Sequence, residues 1–113
     1  MHFSDTLKTL PGIAHLAGLQ LLDADGAIVA TLENRPGQAG SVAVYHALAA
    51  RHGTLGPDAA QDGLALYSEH TADARAFPGK HPNIDRLLAI ADGGCSPLQV
   101  RPIAAPAVQA VQP

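Results

Sequence analysis

Cysteine is nearly absent: Cys95 is the only one in 113 residues. A single thiol excludes an internal disulfide framework and a zinc cage built on cysteines. Aromatic side chains are almost as scarce, limited to Phe3, Tyr45, Tyr67 and Phe77, and much of the 47% hydrophobic content is alanine. Alanine removes little surface from water, at ~25 cal/mol per Å² of apolar area, so a lone subunit is expected to have a thin core. Charged residues make up only 15%, and the net charge of −3 is spread along the chain, which argues against a nucleic-acid surface. No apolar run approaches the ~20 residues of a membrane-spanning helix. The opening Met1–Asp5 lacks the basic-then-apolar pattern of a secretion signal. The expectation is a small cytoplasmic protein that touches neither nucleic acid nor membrane. One domain over residues 1–103 is expected, followed by an uncharged flexible tail over 104–113.

Histidine is what the chain does have, six in all. Protonating all six would carry the net charge from −3 to +3, so the surface field is expected to be pH-sensitive.

Periodicity and punctuation predict the elements. Ser4 to Leu10 reads as a short helix ended by Pro11-Gly12. The apolar runs 18–23 and 27–33 flank Asp25-Gly26, a strong hairpin signal because glycine accepts the positive φ of a tight turn. Both faces of that hairpin carry apolar residues, which predicts packing on both sides. Ser41 is expected to cap a helix reaching His52 and stopped by Gly53. Asp58 is expected to cap a second helix whose stripe Ala60, Leu64, Tyr67, Thr71 and Ala74 runs unbroken to Ala76. A third helix covers 84–92, and the weak alternation of 97–103 predicts a strand beside the hairpin. The fold class is therefore α+β: a small antiparallel sheet, made of the N-terminal hairpin plus the C-terminal strand, packed with three to four helices.

Three stretches carry a resemblance. They are Leu32-Glu33-Asn34-Arg35-Pro36-Gly37-Gln38-Ala39-Gly40-Ser41 with Val44-Tyr45-His46-Ala47-Leu48, then Glu69 to Arg75, and Gly79 to Leu88. Together they resemble a family of short bacterial proteins known only as a domain of unknown function. The resemblance covers roughly residues 1–103 and implies a bacterial, single-domain, non-secreted protein. It implies no activity and no site residue.

The residues themselves point to two loops of one design, each a Pro-Gly corner with a basic residue leading into a helix. Arg35-Pro36-Gly37-Gln38 precedes the helix at Ser41, and Pro78-Gly79-Lys80-His81 precedes the helix at Ile84. A helix start carries unpaired N–H groups and partial positive charge, and so attracts anions. Arg35 offers a fork to a carboxylate or phosphate, and Lys80 a point charge. If the loops meet, Asn34, Arg35, Gln38, Ser41, Tyr45, Lys80, Asn83 and Asp85 would line a cleft for a small anionic metabolite. The plainer reading is two ordinary turns with solvated cations. His46, His70 and His81 are the candidate acid–base residues, against an alternative of histidines hydrogen-bonded to backbone. No pair of them has the i, i+4 spacing of zinc helices, so no metal is assigned. No nucleotide or dinucleotide fingerprint is present, and the cofactor is left unassigned. Glu69 and Asp73 share a helix face and call for a cation opposite, from Arg35, Lys80 or Arg75. Tyr45 and Tyr67 sit on core stripes. Cys95, at a helix C-terminus, lies at the wrong end of the dipole for a reactive thiolate.

Two functions are consistent with these residues. One is a basic, histidine-containing cleft binding an anionic small molecule, with acid–base chemistry of the isomerase or lyase type. The other is a non-catalytic interaction module acting as a homodimer, motivated by the thin core and the sheet's unpaired edges.

Overall fold

The hairpin forms where Asp23 and Gly26 organise the chain. The Asp23 carboxylate accepts the N–H groups of Asp25 and Ala27, each at 2.9 Å, and Gly26 takes φ +83°. The computed structural model describes residues 2–105. In chain order the elements are α1 (Phe3–Leu7), β1 (Leu16–Leu22), β2 (Ile28–Glu33), α2 (Ala39–His52), β3 (Thr54–Leu55), α3 (Pro57–Leu66), α4 (Glu69–Ala76), α5 (Pro82–Ala91) and β4 (Leu98–Ala104). Four antiparallel strands lie in the order β2-β1-β4-β3, so this is an α+β fold. The C-terminal strand pairs with the hairpin, as its alternation predicts. Pro102 faces Leu19 of β1, and β3 covers β4 only at Leu98 and Gln99. The missing N–H of Pro102 therefore disrupts no ladder on that side.

All the helical packing falls on one face of the sheet. Leu19, Leu21 and Leu32 point into it and meet Val42, Val44, Tyr45 and Leu48 of α2 within one buried cluster. Leu64 of α3 and Leu87 and Ile90 of α5 belong to the same cluster. Alanine and glycine let the helices approach. A Cβ at Gly63 would lie 2.6 Å from Leu87 Cδ1 and 2.8 Å from Leu48 Cδ1. The opposite face carries Gln20 and Arg101, joined by a hydrogen bond from the guanidinium to the amide oxygen. Among the described residues the hairpin is thus packed on one side only, contrary to expectation. Ile28 and Val29 of the edge strand β2 are 51% and 50% exposed.

Three other expectations are corrected. Helix α2 begins before Ser41, with Gln38 in the cap position and Ser41 inside the first turn. Asp58 also lies inside a first turn, since Gly56 occupies the cap position of α3 and Pro57 starts it. The stripe from Ala60 to Ala76 is two helices, broken at Ser68 with φ +56°. The Ser68 N–H turns to the Ala65 carbonyl. The carbonyl of Leu64 takes the Thr71 hydroxyl at 2.6 Å instead. A side-chain donor thus replaces one rung of the helix ladder. Of the expected tail, Ala104 closes β4 and the Ala105 N–H bonds the His15 carbonyl at 2.9 Å. Residues 106–113 lie outside the described residues.

Candidate functional site

Each Pro-Gly corner is built by its own backbone. In the first, Gly37 takes φ +91° and the Arg35 carbonyl accepts the N–H groups of Gln38 and Ala39. The Gln38 side chain reaches back to accept the Glu33 N–H at 3.1 Å. In the second, Gly79 takes φ +94° and its N–H donates to Asp85 Oδ2 at 2.9 Å. The His81 carbonyl receives the N–H groups of Ile84 and Asp85. Tyr45 ties α2 to the start of α5. Fully buried in α2, it donates its hydroxyl to the Asn83 carbonyl at 2.5 Å and accepts from Arg86 at 3.1 Å. Burial pushes its phenol up to about 12, against the opposing pull of Arg86.

The corners meet in one cavity of about 410 Å³. Gly37, Gly40 and Ser41 line it from the first, and Lys80, His81 and Asn83 from the second. Phe3, Leu7, Tyr67 and His70 are also among its walls, with Ala39, Pro82 and Ile84 beside the two corners. Among the described residues, no protein acceptor takes the N–H of Gly40, Ser41 or Asn83. These are first-turn groups of α2 and α5, whose free N–H bonds point out of the helix end. Two helix starts thus bring partial positive charge to one hollow. Tyr67 donates to Ser41 Oγ at 2.6 Å, which leaves the Ser41 hydroxyl proton free to turn elsewhere. Burial raises the Tyr67 phenol far above its usual range, so it keeps the proton it donates to Ser41.

Two basic groups of the cavity, His81 and Lys80, converge on Asp73. His81 Nε2 lies 2.6 Å and Lys80 Nζ 2.9 Å from Asp73 Oδ2. The His81 hydrogen bond, and then that of Lys80, hold the Asp73 carboxyl below its usual range. An ionised carboxylate only accepts, so His81 Nε2–H is the donor and Nδ1 is the ring's other nitrogen. Lys80 also lies 5.3 Å from the Phe77 ring centroid. His70 faces His81 at 5.7 Å between ring centroids and stands edge-on to Phe3 at 5.2 Å. Its neighbour Glu69 accepts the Phe3 N–H at 2.8 Å. Glu69's own N–H and that of Phe3 lower its pKa.

Asp73→Asn is therefore expected to lower the melting temperature near neutral pH. Folded Asp73 ionises below its unfolded value of 3.8, so its contribution is complete above that value. It is lost as the pH falls through the lower folded value. Melting curves of wild type and variant from about pH 7 to about pH 2 should converge at the acid end. A gap that persists there would show that this carboxylate is not the group being stabilised.

Of the residues predicted from sequence, Ser41, Lys80, Asn83, His70 and His81 come together at the cavity. Five ligand candidates do not. Arg35 turns outward to Glu33 at 3.6 Å. Asn34 braces the N-terminal loop, donating to the carbonyls of Ile13 and Leu16 at 2.9 and 2.8 Å. Gln38, Tyr45 and Asp85 hold the corners from behind, through the bonds described above. His46, a catalytic candidate, packs edge-on to His15 at 5.6 Å instead. The cation opposite Asp73 is Lys80, one of the three expected. Phe3, Leu7 and Tyr67 join the site without any sequence signal marking them as its walls. Among the described residues no group of three or more His, Cys, Asp or Glu side chains converges to hold a metal ion. No described helix is long and apolar enough to cross a membrane.

A family model described as "Uncharacterized protein conserved in bacteria (DUF2322)" matches residues 3–102. No curated protein and no solved structure matches the chain.

Proposed function

We propose a function from the site alone, because the chain belongs to that family of uncharacterised bacterial proteins, which carries no assigned activity. The cavity between the α2 and α5 starts binds a small organic oxyanion, a carboxylate or a phosphate. His81 is the acid–base group of an isomerase- or lyase-type proton transfer upon it. The observation that carries this reading is the convergence of Lys80, His81 and His70 on the hollow into which two helix starts open. Unpaired N–H groups and a lysine suit a bound anion. A histidine fixed through one nitrogen by a carboxylate suits proton transfer through the other. Location in the bacterial cytoplasm goes with a metabolite ligand of this kind.

Isothermal titration with inorganic phosphate and acetate tests the binding. Lys80→Ala is expected to weaken the bound anion about tenfold, the ~1.4 kcal/mol scale of one charge-assisted hydrogen bond. Arg35→Ala should leave affinity within about twofold, since its guanidinium faces Glu33. Equal losses in the two variants would point to diffuse surface charge rather than this cavity.

A second reading has its own observation. Ile28 and Val29 are exposed on the edge strand β2, a pattern that favours pairing with a second copy. In that reading the protein is a homodimeric interaction module. Light scattering distinguishes it: a monomer at micromolar concentration removes the case for a dimer.

A further inference from the structure

We propose that the bound molecule is amphipathic: an aryl- or alkyl-bearing oxyanion whose apolar body lies along Phe3 and Leu7 while its charged end faces Lys80 and His81. This inference rests on the oxyanion reading and adds the other half of the ligand.

The cavity wall changes character along its length. Three rings follow one another, Phe3 to His70 at 5.2 Å and His70 to His81 at 5.7 Å between centroids. His70 therefore separates an apolar end from the end where His81 and Lys80 meet Asp73. The apolar end is constructed rather than incidental. Phe3 stacks on buried Tyr67 at 5.2 Å and 24°. Its ring sits where Gly40 leaves room, since a Cβ there would lie 3.1 Å from Phe3 Cε2 and 3.6 Å from Leu7 Cδ1. Helix α1, which carries both residues, is tied down by the Phe3 N–H to Glu69 and by Thr6 to Ser68.

Size points the same way. A water molecule takes ~30 Å³ of liquid volume and a bare carboxylate or phosphate only a few times that. Either would leave most of the cavity's about 410 Å³ unfilled beside an apolar wall. A molecule with an apolar body displaces that water and covers Phe3 and Leu7, as ligands of largely apolar pockets with a few polar anchors do.

Titration of the full chain with two matched pairs tests the proposal: phenyl phosphate with inorganic phosphate, and phenylacetate with acetate. In at least one pair the aryl member is expected to bind about tenfold tighter or more. Covering ~55 Å² of apolar surface at ~25 cal/mol per Å² produces an advantage of that size. Phe3→Ala and, separately, Leu7→Ala should reduce the advantage to about threefold or less. Both should cost less affinity for inorganic phosphate than for the aryl member, and retained phosphate binding also reports that the charged end is still folded. Equal affinity within both pairs would overturn the amphipathic ligand and leave the oxyanion reading standing. An aryl advantage that survives both variants would overturn its assignment to α1. Benzyl alcohol binding as tightly as phenyl phosphate, or no binding by any of the four anions, would overturn the oxyanion reading and this inference with it.

Discussion

Tyr45→Ala is expected to destabilise the protein by ~3–5 kcal/mol, the usual cost of removing a fully buried aromatic ring. Domains of this size hold only ~5–15 kcal/mol in total, so the variant should be largely unfolded at physiological temperature. The ring is 0% exposed in the layer between α2, the sheet and α5. Tyr45→Phe separates the hydroxyl from the ring. It leaves the Asn83 carbonyl without its phenolic donor and one Arg86 N–H without that acceptor, at a cost of ~1–3 kcal/mol. Because Asn83 lines the cavity, the same change should weaken anion binding while the protein stays folded. Chemical denaturation and titration on the two variants check both halves. A Tyr45→Phe protein with unchanged stability would mean that the phenol does not clamp α2 to the start of α5.

Gly18→Ala is the second large effect. A Cβ at Gly18 would lie 2.2 Å from the Leu32 carbonyl oxygen and 3.2 Å from Glu33 Cα. Both are backbone atoms of the paired strand, so no side chain can swing away. Relief requires β1 and β2 to separate where Leu19 faces Leu32 in the core. Overpacking of this kind costs ~1–3 kcal/mol, and more when backbone must move. For a domain of about this length each kcal/mol shifts the melting temperature by ~4–8 °C, so a fall of about 10 °C or more is expected. Gly12→Ala is the control, since nothing lies within 4 Å of its Cβ position. Equal melting temperatures for the two variants would refute the close approach of β1 to β2.

Much of the fold was legible because local chemistry specified it. Asp25-Gly26 announced the hairpin, Gly53 ended α2, and the alternation of 97–103 placed β4 beside β1. The errors fell where a local pattern was satisfied by a non-local or side-chain partner. The unbroken stripe through Tyr67 hid a helix break because Ala60, Leu64, Thr71 and Ala74 keep a 3.6-residue period on either side of it. At the break, at Ser68, the Thr71 hydroxyl takes the Leu64 carbonyl, a partner that periodicity does not register. The two-sided hairpin failed for a related reason. Apolar residues on both faces do not create a second layer of helices, and Ile28 and Val29 remain at the surface.

The candidate site divides the same way. Sequence alone identified the two corners as helix starts flanked by cations, because Pro, Gly and the polar residues around them act within a few residues of backbone. It also supplied Ser41, Lys80, Asn83, His70 and His81 as the chemistry-bearing members. Which cation faced inward was decided only on folding. Arg35 has an acidic neighbour two residues away and pairs with it, whereas Lys80 meets a carboxylate that α4 brings from a separate element. The apolar wall likewise came from Phe3 and Leu7, more than thirty residues before Gly40, which leaves them room. Short-range geometry is written in neighbouring residues. The choice among equivalent charges, and the assembly of a cavity from distant segments, depend on the packing of the whole chain.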